Sequence, residues 1–372
     1  MNNNLGIYIH VPFCLSKCAY CDFYSLKNVD THGKAYTDKI ISEINRWGGV
    51  LNNHPADTLY FGGGTPSLLK PRQIKAIIDS VKEQFSLKDA EITLEVNPGD
   101  DLTDFFKQVK KLGVNRISVG MQSANENELN ILSRRHNANQ VVSTVNAART
   151  AGINNISLDI MLGIPGQTKN SLKQTVDFAI AQNPNHISAY LLTLEKGTPL
   201  YKNKANLEIP DDDEAGELYL YTCELLEKAG YLRYEISNFA KPGYESKHNN
   251  KYWQGSDYLG LGPAAHSFIK GKRFYYERDI EKYLLSPTEV YDGDGGGAEE
   301  CLMLLLRLAT GVNLLDFAKR FNISDEKINR LIKKAELFNK NGLVTFNNNV
   351  VALTNKGAVL SNAVITELIS CI

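Results

Sequence analysis

Short apolar, β-branched runs recur along the chain, each followed by a longer stretch of helical periodicity. The runs are IYIHV (7–11), DTLYFGG (57–63), EITLEV (91–96), NRISVGM (115–121), NISLDIML (155–162) and HISAYLL (186–192). Between them, segments such as IKAIIDSVKEQF and SLKQTVDFAIA place apolar residues one helical turn apart. Near-continuous apolar strands alternating with helices predict a parallel sheet covered by helices, either doubly wound or a barrel. The polar residues decide between the two. Each run ends C-terminally in unusual chemistry: a cysteine loop, then GGGTPS, Glu95 with Asn97, Gln122, Asp159 and Tyr190. An open sheet binds its ligand at one switch point, whereas all strand ends of a barrel share one mouth. The pattern therefore predicts an α/β fold with a partial (β/α)6 barrel over residues 1–230.

Beyond the sixth run, PDDDEAGELYLYTCELLEKAGY predicts another helix. Asp211, Asp212 and Asp213 suit its first turn, where negative charge meets the helix dipole; adjacent helical residues diverge and do not share a metal. The stretch YDGDGGG (291–297) predicts a flexible boundary, which makes 231–297 a connecting segment and 298–372 a further unit. In that unit AEECLMLLLRL, DFAKRF and DEKINRLIKKAELF read as helices, LVTFNNNVVAL as a hairpin with an Asn turn, and AVLSNAVITELI as a last helix. The expectation is a C-terminal helical, winged-helix-like domain. Its basic residues are interspersed with acids, which favours packing or docking over nucleic-acid binding.

Charge narrows the partners. Lys and Arg number 41 against 42 Asp and Glu, so the net charge of −1 offers no footprint for nucleic acid or an anionic membrane. The N-terminal MNNNLGIYIH lacks a basic segment with a long apolar core, and no apolar run is long enough to span a bilayer, so a cytoplasmic protein is expected. Of the 6 cysteines, Cys223, Cys301 and Cys371 fall in apolar helical contexts and read as core residues. Cys14, Cys18 and Cys21 instead form a C-x3-C-x2-C cluster. Zinc would need a fourth ligand, for which His10 and Asp22 are the nearest residues. A redox pair with a spare thiol is a second reading. A [4Fe–4S] cluster is a third: three thiolates leave one iron open to a small molecule.

C-x3-C-x2-C with Tyr20 before its last cysteine, followed by GGGTP, resembles the motif pair of the radical S-adenosylmethionine (SAM) enzymes. The resemblance implies that Cys14, Cys18 and Cys21 hold the cluster and that its open iron binds SAM, whose reductive cleavage yields a 5′-deoxyadenosyl radical. Glycines 62–64 are expected to let backbone amides approach the bound molecule. YIHVPFCLSKCAYCDF, YFGGGTPSLL, EITLEVNPG, RISVGMQS, LSRRH, SLDIMLGIPGQT, YLLTLEKGTPL, YEISNFAKPG and LGLGPAAHS resemble, in order, the coproporphyrinogen oxidase-like branch of that superfamily. By that resemblance Tyr8, Tyr20, Gly63, Gly64, Thr65, Glu95, Gln122, Arg134 and Asp159 contact SAM, Arg134 by pairing a carboxylate.

Two departures separate the chain from the oxygen-independent coproporphyrinogen oxidases: Phe23 stands where their motif continues to a fourth cysteine, and the first cysteine already stands at position 14. Both features, and the H-N-x-x-Y-W stretch in KHNNKYWQG, resemble the HemW-type heme chaperones. The resemblance implies heme as a further ligand, His248 on a polar loop as its axial ligand, and Asn249, Tyr252 and Trp253 around it. It also implies acceptor hemoproteins as partners, membrane-bound respiratory enzymes among them, and allows peripheral membrane association and a homodimer. A porphyrinogen-decarboxylating oxidase and a radical SAM enzyme of another substrate are the alternatives.

Overall fold

The computed structural model describes residues 4–27, 29–99 and 101–372. Residues 1–3, part of the N-terminal stretch read above, lie outside them. The six predicted runs form strands β1 (Leu5–Val11), β2 (Ala56–Gly63), β3 (Glu91–Val96), β4 (Arg116–Gln122), β5 (Asn155–Leu162) and β6 (His186–Leu191). They lie side by side in chain order and all run parallel. Short strands β7 (Leu232–Arg233) and β8 (Asn238–Ala240) continue the sheet antiparallel beyond β6. At the other side β9 (Tyr258–Leu261) pairs parallel to β1. Strands β10 (His266–Ile269), β11 (Lys272–Tyr276) and β12 (Glu289–Asp294) then follow antiparallel. Among the described residues these twelve strands make one sheet with two free ends, so it curves without closing. The expected partial barrel is what forms.

The six central strands are less apolar than their composition implied, because they alternate. Ile7, Ile9, Leu59, Phe61, Ile92, Leu94, Ile117, Val119, Ile156 and Leu158 face the helices and join the main core. Their neighbours Tyr8, His10, Tyr60, Glu95, Ser118, Asp159 and His186 point to the concave side, where they bond one another. Period-two alternation puts alternate side chains on opposite faces, so a helix-covered parallel sheet can keep a polar interior. Helix Pro71–Phe85 shows the matching pattern, burying Ile74, Ile77, Ile78, Val81 and Phe85 on one face. Replacing Phe61 by Ala would remove a fully buried ring and cost about 3–5 kcal/mol.

Segment 231–297 supplies strands to both sides of the sheet. Part of the expected flexible stretch is itself ordered, because the first half of YDGDGGG is strand β12, paired with β11. Asp211 caps helix Asp212–Lys228 and forms a reciprocal capping box with Glu214, the role expected for the acidic turn. Cys223, Cys301 and Cys371 are buried, as expected. The C-terminal region builds its own core around Leu302, Phe317, Leu331 and Leu368. Its hairpin, Val344–Asn347 with Val350–Leu353, turns through Asn348 and Asn349 at φ 50° and 62°, the left-handed pair a tight hairpin prefers. Arg233 ties it to the sheet, donating to Asn355 Oδ1 at 2.8 Å and the Leu353 carbonyl at 2.6 Å.

KHNNKYWQG departs most from expectation: it is a helix, Lys247–Trp253, not a loop. Ser246 caps it by accepting from the Asn249 N–H. Glu91, at the N-terminal end of β3, accepts from the backbone N–H groups of Lys247 and His248 at 3.2 and 3.1 Å. Lys251 reaches Asp57 and the Asn4 carbonyl, both at 2.7 Å. The helix therefore plugs the floor of the open barrel. Glu91 is also the leading charge partner of Arg116, a fully buried guanidinium on β4. Glu91→Ala is expected to lower stability to urea by about 1–3 kcal/mol. An unchanged unfolding midpoint would show that the plug is held by other contacts.

Candidate cluster and cofactor site

The three clustered cysteines leave β1 on a loop that the sequence closes at its base. Cys14 N–H donates to the Leu26 carbonyl at 2.8 Å, and Leu26 N–H to the Pro12 carbonyl at 2.6 Å. The tip is held from two further elements: Ala19 N–H donates to the Leu132 carbonyl at 3.1 Å, and its own carbonyl accepts from Leu200 N–H at 2.9 Å. All three thiols are free and half-buried. Burial, with the two neighbouring thiols adding to it, pushes the Cys21 thiol above its ordinary value.

Strand ends then link two of the cysteines through side chains. Cys14 Sγ lies 3.5 Å from Thr65 Oγ1, which accepts from Asn97 Nδ2 at 2.8 Å. Asn97 Oδ1 accepts from Arg134 Nη2 at 2.7 Å, and Arg134 Nη1 stands 3.5 Å from Cys18 Sγ. Arg134 also donates to the Gly120 carbonyl at 2.5 Å. Among the described residues it pairs with no carboxylate, and its Nε is buried without a partner. Asn97 was visible as a strand-end residue; its place between two cysteines was not, because only the fold brings 65, 97 and 134 together.

The glycine run also has a role within the protein. A Cβ on Gly64 would sit 2.6 Å from the Phe13 carbonyl oxygen and 2.8 Å from that of Val11. One on Gly63, at φ 105°, would meet the His10 ring at 2.6 Å. The absent side chains thus make room for the cysteine loop to lie against β2, and the space is taken by the protein itself. Gly64 and Thr65 N–H groups donate to the Val11 and Phe13 carbonyls at 2.8 and 2.7 Å.

The remaining expected residues line the concave face. Glu95 accepts from Tyr60 OH at 2.8 Å and Gly63 N–H at 3.2 Å, and burial pushes its carboxyl up to about 7. Asp159 accepts from Ser118 at 3.0 Å and Ser157 at 3.3 Å, and burial raises it too. Gln122 ends β4 in the left-handed region at φ 64°, a strained conformation for a non-glycine residue at a strand end. Tyr20 packs on Leu132, Met161 and Ile164 beside Arg134. Tyr8 OH bonds His10 Nδ1 at 3.0 Å, and His10 Nε2 bonds the Tyr24 carbonyl at 3.0 Å.

His10 is therefore fully engaged, and burial lowers it to about 4. Asp22 is paired with Arg278 at 3.0 Å. Neither proposed fourth zinc ligand is free, and among the described residues no three His, Cys, Asp or Glu side chains gather around one ion's position. His248 is also enclosed: Nδ1 bonds Thr58 Oγ1 and Nε2 bonds Tyr252 OH, each at 2.8 Å, and the ring stacks on Tyr60 at 5.1 Å. Burial lowers it to about 3. In this arrangement neither nitrogen is open to iron; as an axial ligand it would first have to give up one of the two bonds.

Residues 8–179 match the family model of the radical SAM superfamily, and residues 298–360 that of the HemN C-terminal domain. The heme chaperone HemW of Buchnera aphidicola subsp. Schizaphis graminum is 35% identical over 352 residues, covering 90% of this chain and 92% of the relative. The chain belongs to the HemW family. Heme chaperone HemW of Bacillus subtilis strain 168 is 33% identical over 375 residues, covering 96% and 97% of the two chains. The solved structure of Escherichia coli coproporphyrinogen III oxidase, HemN, described as a radical SAM enzyme, superposes with a TM-score of 0.82 at 22% identity, covering 99% of this chain and 90% of the other, which is a likeness of fold. Superfamily membership implies a [4Fe–4S] cluster and SAM, and the three-thiol set beside a buried guanidinium fits them.

Two outcomes follow for the HemW-family site. Replacing Cys14, Cys18 or Cys21 by Ala is expected to abolish iron incorporation, whereas Cys223→Ala, Cys301→Ala and Cys371→Ala keep about four irons per chain after anaerobic reconstitution. Iron retained in the first three variants would refute the assignment. Glu95 bears on stability: because its folded-state value of about 7 exceeds its ordinary 4.5, its contribution is complete below about 4.5 and is lost as pH rises through about 7. The buried neutral His10 and His248 pull the other way, so urea unfolding followed between about pH 5 and 7 should show stability rising more steeply with pH in Glu95→Gln than in the wild type. Equal slopes would mean that Glu95 is not the titrating group.

Proposed function

We propose that this chain binds heme and passes it to acceptor hemoproteins, on a scaffold holding a [4Fe–4S] cluster and SAM. The observation that carries the reading is the likeness, over nine-tenths of the chain and more, to relatives named heme chaperones. Cys14, Cys18 and Cys21 would hold the cluster. Arg134, through its unpartnered Nε, would meet a carboxylate of SAM, while Glu95, Gln122 and Asp159 offer polar groups at successive strand ends. The bound cluster supplies one-electron chemistry toward SAM; the residues around it position the cofactor and exclude water.

Phe23, 63% exposed, carries no thiol at the place where the coproporphyrinogen oxidases continue their cysteine motif, which favours transfer over decarboxylation. The acceptors we propose are hemoproteins, membrane-bound respiratory enzymes among them, met from the cytoplasm by peripheral association, and the self-association we propose is a homodimer. No helix among the described residues is long and apolar enough to cross a membrane. The reconstituted protein should bind hemin near stoichiometrically in an absorbance titration and leave coproporphyrinogen III unconverted when SAM and a strong reductant are present. Carbon dioxide release with formation of protoporphyrinogen would overturn the chaperone reading. The same titration on His248→Ala tests that residue as a ligand.

A further inference from the structure

A cavity of about 590 Å³ opens between the cysteine loop and the β9–β11 side of the sheet. Its size falls within the roughly 300–1,000 Å³ of cofactor sites. Phe23 and Tyr24 form one side, just past Cys21; Tyr252 and Tyr258 form the inner wall; His266 and Arg278 stand on the outer wall. Of these last four, only Tyr252 was among the residues expected around the heme.

The stretch LGLGPAAHS is what delivers His266. A Cβ on Gly262, at φ 111°, would lie 2.5 Å from the His10 carbonyl oxygen, so the turn packs directly against β1. Ala264 lies in the left-handed region at φ 70° and is held there by donating its N–H to the carbonyls of Tyr276 and Glu277, both at 3.1 Å. A strained turn fixed in this way beside a cavity places the next side chains rigidly. His266 then stacks on its cross-strand partner Tyr275, with ring centroids 5.1 Å apart.

The two histidines that line the cavity differ. His10 has both nitrogens in hydrogen bonds. His266 has an exposed side chain whose Nδ1 faces Asp292 at 4.0 Å, outside hydrogen-bond reach. Burial lowers its pKa, which keeps the imidazole in the neutral form that binds metal. Asp292 lies too far away to hold Nδ1, so it is the exposure of the ring, and not a carboxylate partner, that leaves Nε2 for iron.

We propose that heme docks in this cavity with His266 as its axial ligand, Phe23 against the macrocycle, and Arg278 on a propionate. The proposal rests on the heme-binding reading and deepens it. Ligation is a lone-pair donation from Nε2 to ferric iron in place of a water, with no change of oxidation state. Arg278 has donors to spare beyond the one it gives Asp22 at 3.0 Å. His248, bonded to Tyr252, acts here as a positioning residue for the inner wall.

The test is a hemin titration of the full reconstituted chain, read by affinity and by the histidine–iron stretch of the ferrous complex in resonance Raman spectra. His266→Ala should weaken binding about tenfold or more and lose the histidine–iron signal, which added imidazole should restore. Arg278→Gln should weaken binding of hemin several-fold, on the order of a lost charged hydrogen bond, but not of hemin dimethyl ester. His248→Ala should lower affinity while keeping the signal. Iron–sulfur content, measured on each variant, reports intact folding. If the wild-type chain binds no hemin, the heme reading itself fails and this proposal with it. If wild-type binding carries a histidine signal that survives His266→Ala, or that disappears in His248→Ala, the proposal is overturned and the heme reading stands.

Discussion

The run of contacts from Cys14 through Thr65, Asn97 and Arg134 to Cys18 is the constraint on which the site depends. It joins the cysteine loop to the ends of β2 and β3 and to the segment after β4, so the loop's position is set by the register of the sheet and not by the loop itself. A guanidinium sits where thiolate charge would accumulate, and being buried it keeps its interactions nearly unscreened. Such a ring rewards completeness: removing one member leaves its neighbours with buried unmet polar groups, a larger cost than the contact alone.

Around that ring the fold divides its labour by face. The outward residues of each central strand do ordinary core packing, and the inward ones make a polar basin with Arg116 at its floor. Arg116 leaves Nε and Nη1 without hydrogen-bond partners, and its charge is answered by Glu91 and Asp159 across the basin. The plugging helix completes this balance, since the carboxylate that faces Arg116 also caps the helix that carries His248.

Much of this was legible in the sequence. The six strands, their polar ends and the C-terminal hairpin follow from local periodicity and turn chemistry, which act within a few residues. The Asp211 cap was readable for the same reason. The helix at KHNNKYW was not, because asparagine-rich sequence favours turns and the stabilising partners, Glu91 and Asp57, are more than a hundred residues away. The packing role of the glycine run was hidden in the same way: Gly63 and Gly64 leave room for His10 and for the backbone of Val11 and Phe13, and no local pattern reports that. His266 and Arg278 were passed over because neither belongs to a motif with a known role; only the cavity makes them notable.

The pairing of β1 with β9 joins residues 6–9 to residues 258–261. During synthesis β1 can find β2 early, yet its other edge has no partner until most of the chain has left the ribosome. For that interval a strand next to three thiols presents unpaired backbone groups, the arrangement that invites pairing with a second nascent chain.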